Sequence, residues 1–247
     1  MDLWKKSISD KVFKDQLDQI KKYKKFVLIA SSGVSSLMEL KKRSIVDKQA
    51  KKLRNKKEID KKNIEHMYEY TVFKKTVELI NLLAFKFPDI NFIVRKHPSE
   101  SMEDWKKIIV KFPKNVFFDN RFDIYGWISL SKCIIHTAST VGLQAYYLKK
   151  NIISFVPKIL GANRGFSNQF GIKVSNITKV AETLSKILKN NKSTNIFNSK
   201  KNQIFKHRLF TNSKSFSSDI IVKDLLKISK KVKTSKNNKF LFLAILL

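Results

Sequence analysis

One cysteine, Cys133, stands among 247 residues. That excludes a disulfide framework within the chain and a zinc site built from several thiolates. Glycine is sparse, at six residues. Neither a Gly-x-Gly-x-x-Gly fingerprint nor a Walker A loop occurs, so the two commonest phosphate-cradling loops are absent. No His, Cys and carboxylate spacing suits a metal, and no Asp-x-Asp pair suits a divalent ion on a diphosphate. Neither a metal nor another cofactor is expected. Apolar runs are short, and none reaches the roughly 20 residues a spanning helix needs. The run Phe240–Leu247 is far below that length. The first 25 residues are charged and amphipathic without an apolar h-region, which predicts no secretory signal peptide. The expected compartment is a reducing cytoplasm, with peripheral attachment at the inner face of the cell membrane as the variant.

Arginine is also scarce. Of 51 basic residues, 45 are Lys and six are Arg, against 20 acidic residues, for a net charge of +31. Such a field attracts polyanions. Yet arginine is the better fork for phosphates and base edges, and the lysines are spread along the whole chain. The composition therefore argues against a dedicated nucleic-acid partner. Lys, Asn, Ile and Phe are abundant together, as in proteins coded by A/T-rich genomes. An anionic membrane surface is the other partner the charge fits. The apolar share is 43%, including 19 Phe, enough for the core of one large domain or two small ones.

Residues 1–25 read as an amphipathic lead-in helix. Residues 26–190 read as one α/β domain, with a Lys-rich exposed connection at 41–63. Residues 191–230 read as a loop and a helix, and 231–247 as a basic and apolar tail. Within the domain, short apolar runs alternate with helical patterns. The runs are 26–30, 90–94, 116–118, 133–136, 151–155 and 172–174. Helical periodicity covers 64–87, 102–111, 123–131, 139–148 and 177–188. This alternation predicts βαβ units in a Rossmann-like, mainly parallel sheet of about six strands, with helices on both faces. Ligands of such sheets lie beyond the carboxyl ends of the strands, so chemistry belongs in the loops 31–36, 95–100, 119–122, 137–142 and 156–171.

Two of these loops carry suitable residues. Arg95-Lys-His-Pro-Ser-Glu100 places three cationic side chains beside a proline-stiffened turn, where a phosphate can accept hydrogen bonds. A solvated basic turn would use the same residues. His136-Thr-Ala-Ser-Thr-Val-Gly142 runs from a strand into a helix. The hydroxyls of Ser139 and Thr140 and the first backbone N–H groups make an anion site there, or an ordinary N-cap. Gly142 permits close approach by the helix or a ligand. His136 is either a buried, hydrogen-bonded core residue or a ligand. His66 and His207 read as solvated, and Cys133 as an inert core thiol. Asp123 is a helix cap or a base.

The order of these features, with Trp105 and Trp127 between them, resembles the nucleotide-binding half of bacterial GT-B-type glycosyltransferases. More narrowly, it is similar to the surface carbohydrate (polysaccharide) biosynthesis family. That family carries an Arg-Pro-His-Pro-Ser-Glu stretch followed by Trp, and about forty residues later a Ser-Thr-x-Gly-x-Glu-Ala helix start. The matching residues are Arg95, His97, Pro98, Ser99, Glu100, Trp105, Ser139, Thr140, Gly142 and Ala145, within a resemblance covering about 24–190. Lys96 stands where the family has proline, and Gln144 where it has glutamate.

The resemblance implies that a nucleotide-activated sugar, CMP- or UDP-linked, is bound and its sugar passed to a glycan or lipid-linked acceptor without a metal. His97, Arg95 and Glu100 would be catalytic. Ser139, Thr140, Gly142, Ser99, Gln144 and the small-residue loop Ser31, Ser32 and Gly33 would join His97 in holding the nucleotide and its phosphates. A GT-B enzyme joins two Rossmann-like domains, and this chain has room for one. The chain then reads as a truncated or split product, with a partner subunit as one source of the acceptor half. The alternative is a non-catalytic half-domain that binds a partner subunit or an anionic membrane.

Overall fold

The structure is a computed structural model describing residues 11–31, 56–109, 112–158, 165–190 and 217–234. Six strands form one sheet: β1 (Phe26–Ala30), β2 (Asn91–Arg95), β3 (Val116–Phe118), β4 (Cys133–His136), β5 (Ile152–Phe155) and β6 (Ile172–Val174). Their order is β3-β2-β1-β4-β5-β6, and every neighbouring pair is parallel. This is the doubly wound Rossmann-like arrangement expected from the alternation of runs and periodic segments. β1 lies at the centre, and all five of its residues are buried. A parallel strand covered on both faces has no solvent side, so it reads as a continuous apolar run.

The helices are α1 (Lys11–Lys21), α2 (Lys56–Lys86), α3 (Met102–Ile108), α4 (Ile124–Leu130), α5 (Val141–Tyr147), α6 (Ile177–Lys189) and α7 (Ser217–Thr234). A single turn of 3₁₀-helix covers Phe166–Gln169. The alternation of side chains along each strand divides the core in two. Val27, Ile29, Phe92, Val94, Cys133, Ile135, Ile153 and Phe155 pack with Phe73, Leu79 and Leu83 of α2, Trp105 of α3, and Val180, Leu184 and Ile187 of α6. Phe26, Leu28, Ile93, Ile134 and Ile152 pack with Ile20 of α1, Trp127 and Ile128 of α4, and Ala145 and Tyr146 of α5. Trp105 and Trp127 are both wholly buried, one on each face. Burying a side chain of that size contributes roughly 1.5–3 kcal/mol or more.

Helix starts follow local chemistry. Ser101 caps α3, its Oγ accepting from the Asp104 N–H. Asp123 caps α4 through the Tyr125 N–H at 2.7 Å, so its carboxylate serves as a cap. Asn176 caps α6 through the N–H groups of Thr178 and Lys179.

Several boundaries differ from the sequence reading. α2 begins at Lys56, inside the stretch read as an exposed connection, and His66 lies within the helix rather than at its start. The first two turns, Lys-Lys-Glu-Ile-Asp-Lys-Lys-Asn, include good helix formers but few apolar residues, so the apolar stripe starts after the helix does. α5 begins two residues later than Ser139. α7 continues to Thr234, past the boundary placed at 230. The remainder of the connection (41–55), the segment 191–216 and residues 235–247, with His207, lie outside the described residues.

Candidate functional site

Ala30, the last residue of β1, pairs with Arg95 of β2 on one side and with His136 of β4 on the other. The two motif loops therefore leave the sheet on either side of one residue. This is the topological switch point, where connections depart to opposite sides and open a crevice. Ser31 follows Ala30 and is buried. Ser32 and Gly33 lie outside the described residues.

The β2 loop is organised around Glu100. Its carboxylate is 3% exposed. Oε2 accepts from Ser31 Oγ at 2.6 Å, from the His97 N–H at 3.1 Å and from Trp105 Nε1 at 3.1 Å. Ser31 Oγ also accepts from the His97 N–H, at 2.8 Å. The Glu100 N–H returns to the His97 carbonyl at 2.9 Å, closing the turn. Lys96 Nζ donates to the Glu100 carbonyl at 2.8 Å. This carboxylate is enclosed by donors from three segments, which is the geometry of a brace rather than of a base open to an acceptor.

His97 itself is exposed, on top of that brace. Its Nδ1 accepts from the Ser99 N–H at 3.2 Å and lies 2.7 Å from Ser99 Oγ. A backbone N–H can only donate, so Nδ1 is the acceptor nitrogen and Nε2 carries the proton. The imidazole thus presents an N–H on its outer side.

Arg95 does not face outward. Its guanidinium donates to the carbonyls of Arg121 and Phe122, at 2.7 and 3.2 Å, and lies over the Trp127 ring. Burial lowers its pKa from the usual arginine value, against the raising influence of Asp119 and Asp123. Two of its N–H donors are thus engaged by the loop after β3. Asn120 completes this clamp, its amide exchanging two bonds with the Lys96 backbone, N–H to Oδ1 at 3.1 Å and Nδ2 to carbonyl at 2.7 Å. A proline at position 96 could not make the first. Asp119, buried beneath, accepts from Tyr23 Oη and from the Arg121 backbone and guanidinium. Burial pushes its carboxyl up, but the Arg121 and Tyr23 hydrogen bonds prevail and hold it below the usual carboxylate range.

The β4 loop is held differently. Ala138 has φ of +58°, the left-handed region, which costs a residue with a Cβ about 1–2 kcal/mol. The Ala138 N–H donates to Asn168 Oδ1 at 2.8 Å. Gly165 packs so closely that a Cβ there would lie 2.8 Å from that of Ala138. Ser139 Oγ accepts from the Val141 N–H at 3.3 Å, so it is the first-turn cap of α5. Thr140 occupies the N-cap position, is exposed, and makes no side-chain cap bond. Gln144 is half-buried one turn further along.

His136 is fully buried. Ser154 Oγ donates to the Phe170 carbonyl and lies 3.0 Å from His136 Nε2, which therefore supplies the proton between them. Burial pushes the imidazole down to about 4. Gly142 is buried against the same ring. Of the two readings of His136, the buried core residue is the observed one.

The structure thus brings His97, Ser99, Ser31 and Glu100 into one hydrogen-bonded unit after β2. It sets Ser139, Thr140, Gly142 and Gln144 at the start of α5, across the β1 terminus. Asn120, Asp119, Ser154 and Asn168, which fix these loops, were not singled out in the sequence. Apart from the Asp119–Arg121 pair, their partners are distant in the chain, so no local motif marks them. Cys133 is buried in β4, and burial pushes its thiol up.

No family model matches the chain, and no curated protein matches it. Among solved structures it is similar to the UDP-GlcNAc 2-epimerase from Neisseria meningitidis bound to UDP-GlcNAc. The TM-score is 0.49 at 16% identity, over 90% of this chain and 51% of that one. It is similar to the Methanocaldococcus jannaschii UDP-GlcNAc 2-epimerase in complex with UDP-GlcNAc and UDP, with TM-score 0.49 at 14% identity, over 82% and 50%. The wall teichoic acid polymerase TagF follows with TM-score 0.40 at 15% identity, over 70% and 36%. The chain spans about half the length of the two epimerases. At these TM-scores the likenesses decide nothing about its chemistry.

Proposed function

We propose that this chain binds a nucleotide-activated sugar, CMP- or UDP-linked, across the carboxyl ends of β1, β2 and β4. In this reading it is the donor-binding half of a GT-B-type glycosyltransferase of surface polysaccharide biosynthesis. One observation carries the reading: Ala30 pairs with Arg95 and His136, so the loops bearing His97 and Ser139–Thr140 flank the switch point of a parallel sheet.

His97 donates its Nε2–H to the donor's phosphate. The hydroxyls of Ser139 and Thr140, at the start of α5 beside Gly142, receive that phosphate from the other side, and Gln144 reaches the ribose or base. Ser31, Ser32 and Gly33 border the nucleotide at the end of β1. As the acceptor's oxygen bonds to the anomeric carbon and loses its proton to a base, the bond from that carbon to phosphate oxygen breaks and its electron pair stays on the phosphate. Donors already in place stabilise the growing charge without reorganising. Ser99 contributes by fixing the His97 tautomer. Glu100 and Arg95 act through the loops they hold. The acceptor, a glycan or a lipid-linked glycan, and the base that deprotonates it would be supplied by the other half of such an enzyme.

Titration calorimetry of the full chain with CMP, CDP, UDP and ADP tests this. Binding of a cytidine or uridine nucleotide below millimolar is expected, weakened about tenfold or more by His97→Ala or Ser139→Ala. The assignment is wrong if none of the four binds below millimolar, or if binding is indifferent to both substitutions.

A further inference from the structure

A second surface of the molecule lies outside this site. Helix α7 presents Ile221, Val222, Leu225, Leu226 and Ile228 at exposures of 47–58%. Every residue from 221 to 228 is exposed. At 100° per residue the five apolar side chains share an arc of about 160°, and Lys223, Asp224 and Lys227 occupy the remainder. Lys227 pairs with Asp224 at 3.3 Å along that polar side. Five large aliphatic side chains on one exposed face are more than the scattered apolar residues of an ordinary surface, and they call for a cover.

Charge decides what covers them. The helix sequence holds five lysines and two aspartates, and the chain as a whole carries +31. A second copy of so basic a chain is repelled. A surface of negative charge with an apolar interior is attracted to both sides of the helix at once. No described helix is long and apolar enough to cross a membrane. An amphipathic helix of lower overall hydropathy, with lysines on its polar face, lies in the interface plane instead.

We infer that α7 docks on an anionic lipid bilayer, with Ile221, Val222, Leu225, Leu226 and Ile228 entering the acyl boundary and Lys223 and Lys227 meeting the headgroups. The inference is independent of the nucleotide reading and stands or falls separately from it.

The test uses the full chain and sedimentation with phosphatidylcholine vesicles, with and without phosphatidylglycerol. Wild type should bind the phosphatidylglycerol vesicles and release them as salt rises. Leu225→Ser/Leu226→Ser should weaken that binding about tenfold or more, since two aliphatic side chains no longer leave water. To guard against loss of the helix itself, an environment-sensitive fluorophore is placed on Leu225→Cys and, separately, on Asp224→Cys. Cys133 is buried and does not compete for the label. With anionic vesicles the first should shift to the blue and the second should not. Several results would overturn the inference: no binding by wild type, unchanged binding by the serine variant, or equal shifts from both labels. So would a self-association that the serine substitutions abolish without any vesicle binding, or binding lost only on removal of residues 240–247.

Discussion

The ring of His136 occupies the space a side chain at position 142 would need. A Cβ built on Gly142 falls 2.2 Å from His136 Nε2, 2.4 Å from Cε1 and 2.7 Å from Cδ2. The glycine is set by this contact, which seats α5 directly on the end of β4. The ring cannot swing aside without breaking its hydrogen bond to Ser154, which is anchored on the Phe170 carbonyl.

Gly142→Ala should therefore destabilise the protein by at least about 2 kcal/mol, the scale of overpacking a buried contact. In a His136→Ala background the same change should cost much less, because the clash is gone and coupled neighbours are non-additive. Urea unfolding of the four members of this cycle measures it. Additive costs would mean that α5 does not rest on the ring.

Stability should fall with pH through a defined window. His136 is pushed down to about 4 by burial, from an ordinary 6.5. Between these values the unfolded chain holds the additional proton, so unfolding is favoured as pH drops below 6.5, and the loss levels off beneath about 4. The whole loss is on the order of 3 kcal/mol. Asp119, held below its ordinary 3.8, keeps its contribution above that value and loses it only at lower pH. Urea titrations from neutral pH down to about 4 should show the slope in wild type and a flatter one in His136→Asn. Equal slopes would contradict the assignment.

The brace and the exposed imidazole should separate by their effects. Glu100→Ala leaves the buried Trp105 Nε1–H without its acceptor and takes from Ser31 Oγ and the His97 N–H the carboxylate they share. It should cost roughly 2–4 kcal/mol, the scale of unsatisfied buried donors. Arg95→Lys loses the fork to two carbonyls and should cost about 1–2 kcal/mol. His97→Ala, at an exposed position, should leave the melting temperature nearly unchanged while weakening nucleotide binding. A His97→Ala variant as unstable as Glu100→Ala would make His97 part of the brace.

The strands were legible because each is a short apolar run bounded by turn residues, and their alternation with periodic helices implied a parallel sheet. The loops that flank the switch point followed from that order. What the loops do internally was not legible. Ser31 and Glu100 are 69 residues apart, and Ala138 and Asn168 are 30 apart, so only the folded sheet brings each pair together. Arg95 reads as an outward cation because its position after a strand says nothing of the carbonyls opposite. Phe122, in the left-handed region at φ +63°, is one of the two residues whose carbonyls take up the guanidinium. The exact start of α2 was not legible because its first turns hold few apolar residues and so carry no stripe.

The proposed contact is between a fixed His97 Nε2–H and the phosphate of a pyrimidine nucleotide. Long-range ¹H–¹⁵N correlation of the imidazole nitrogens reads this directly, with His97→Ala assigning the signals. The account predicts the Nε2–H tautomer in the free protein, imposed by the Ser99 N–H on Nδ1, and a shift of the His97 resonances that saturates with CMP, CDP or UDP below millimolar. An Nδ1–H tautomer, or His97 resonances unmoved by all three nucleotides, would contradict it.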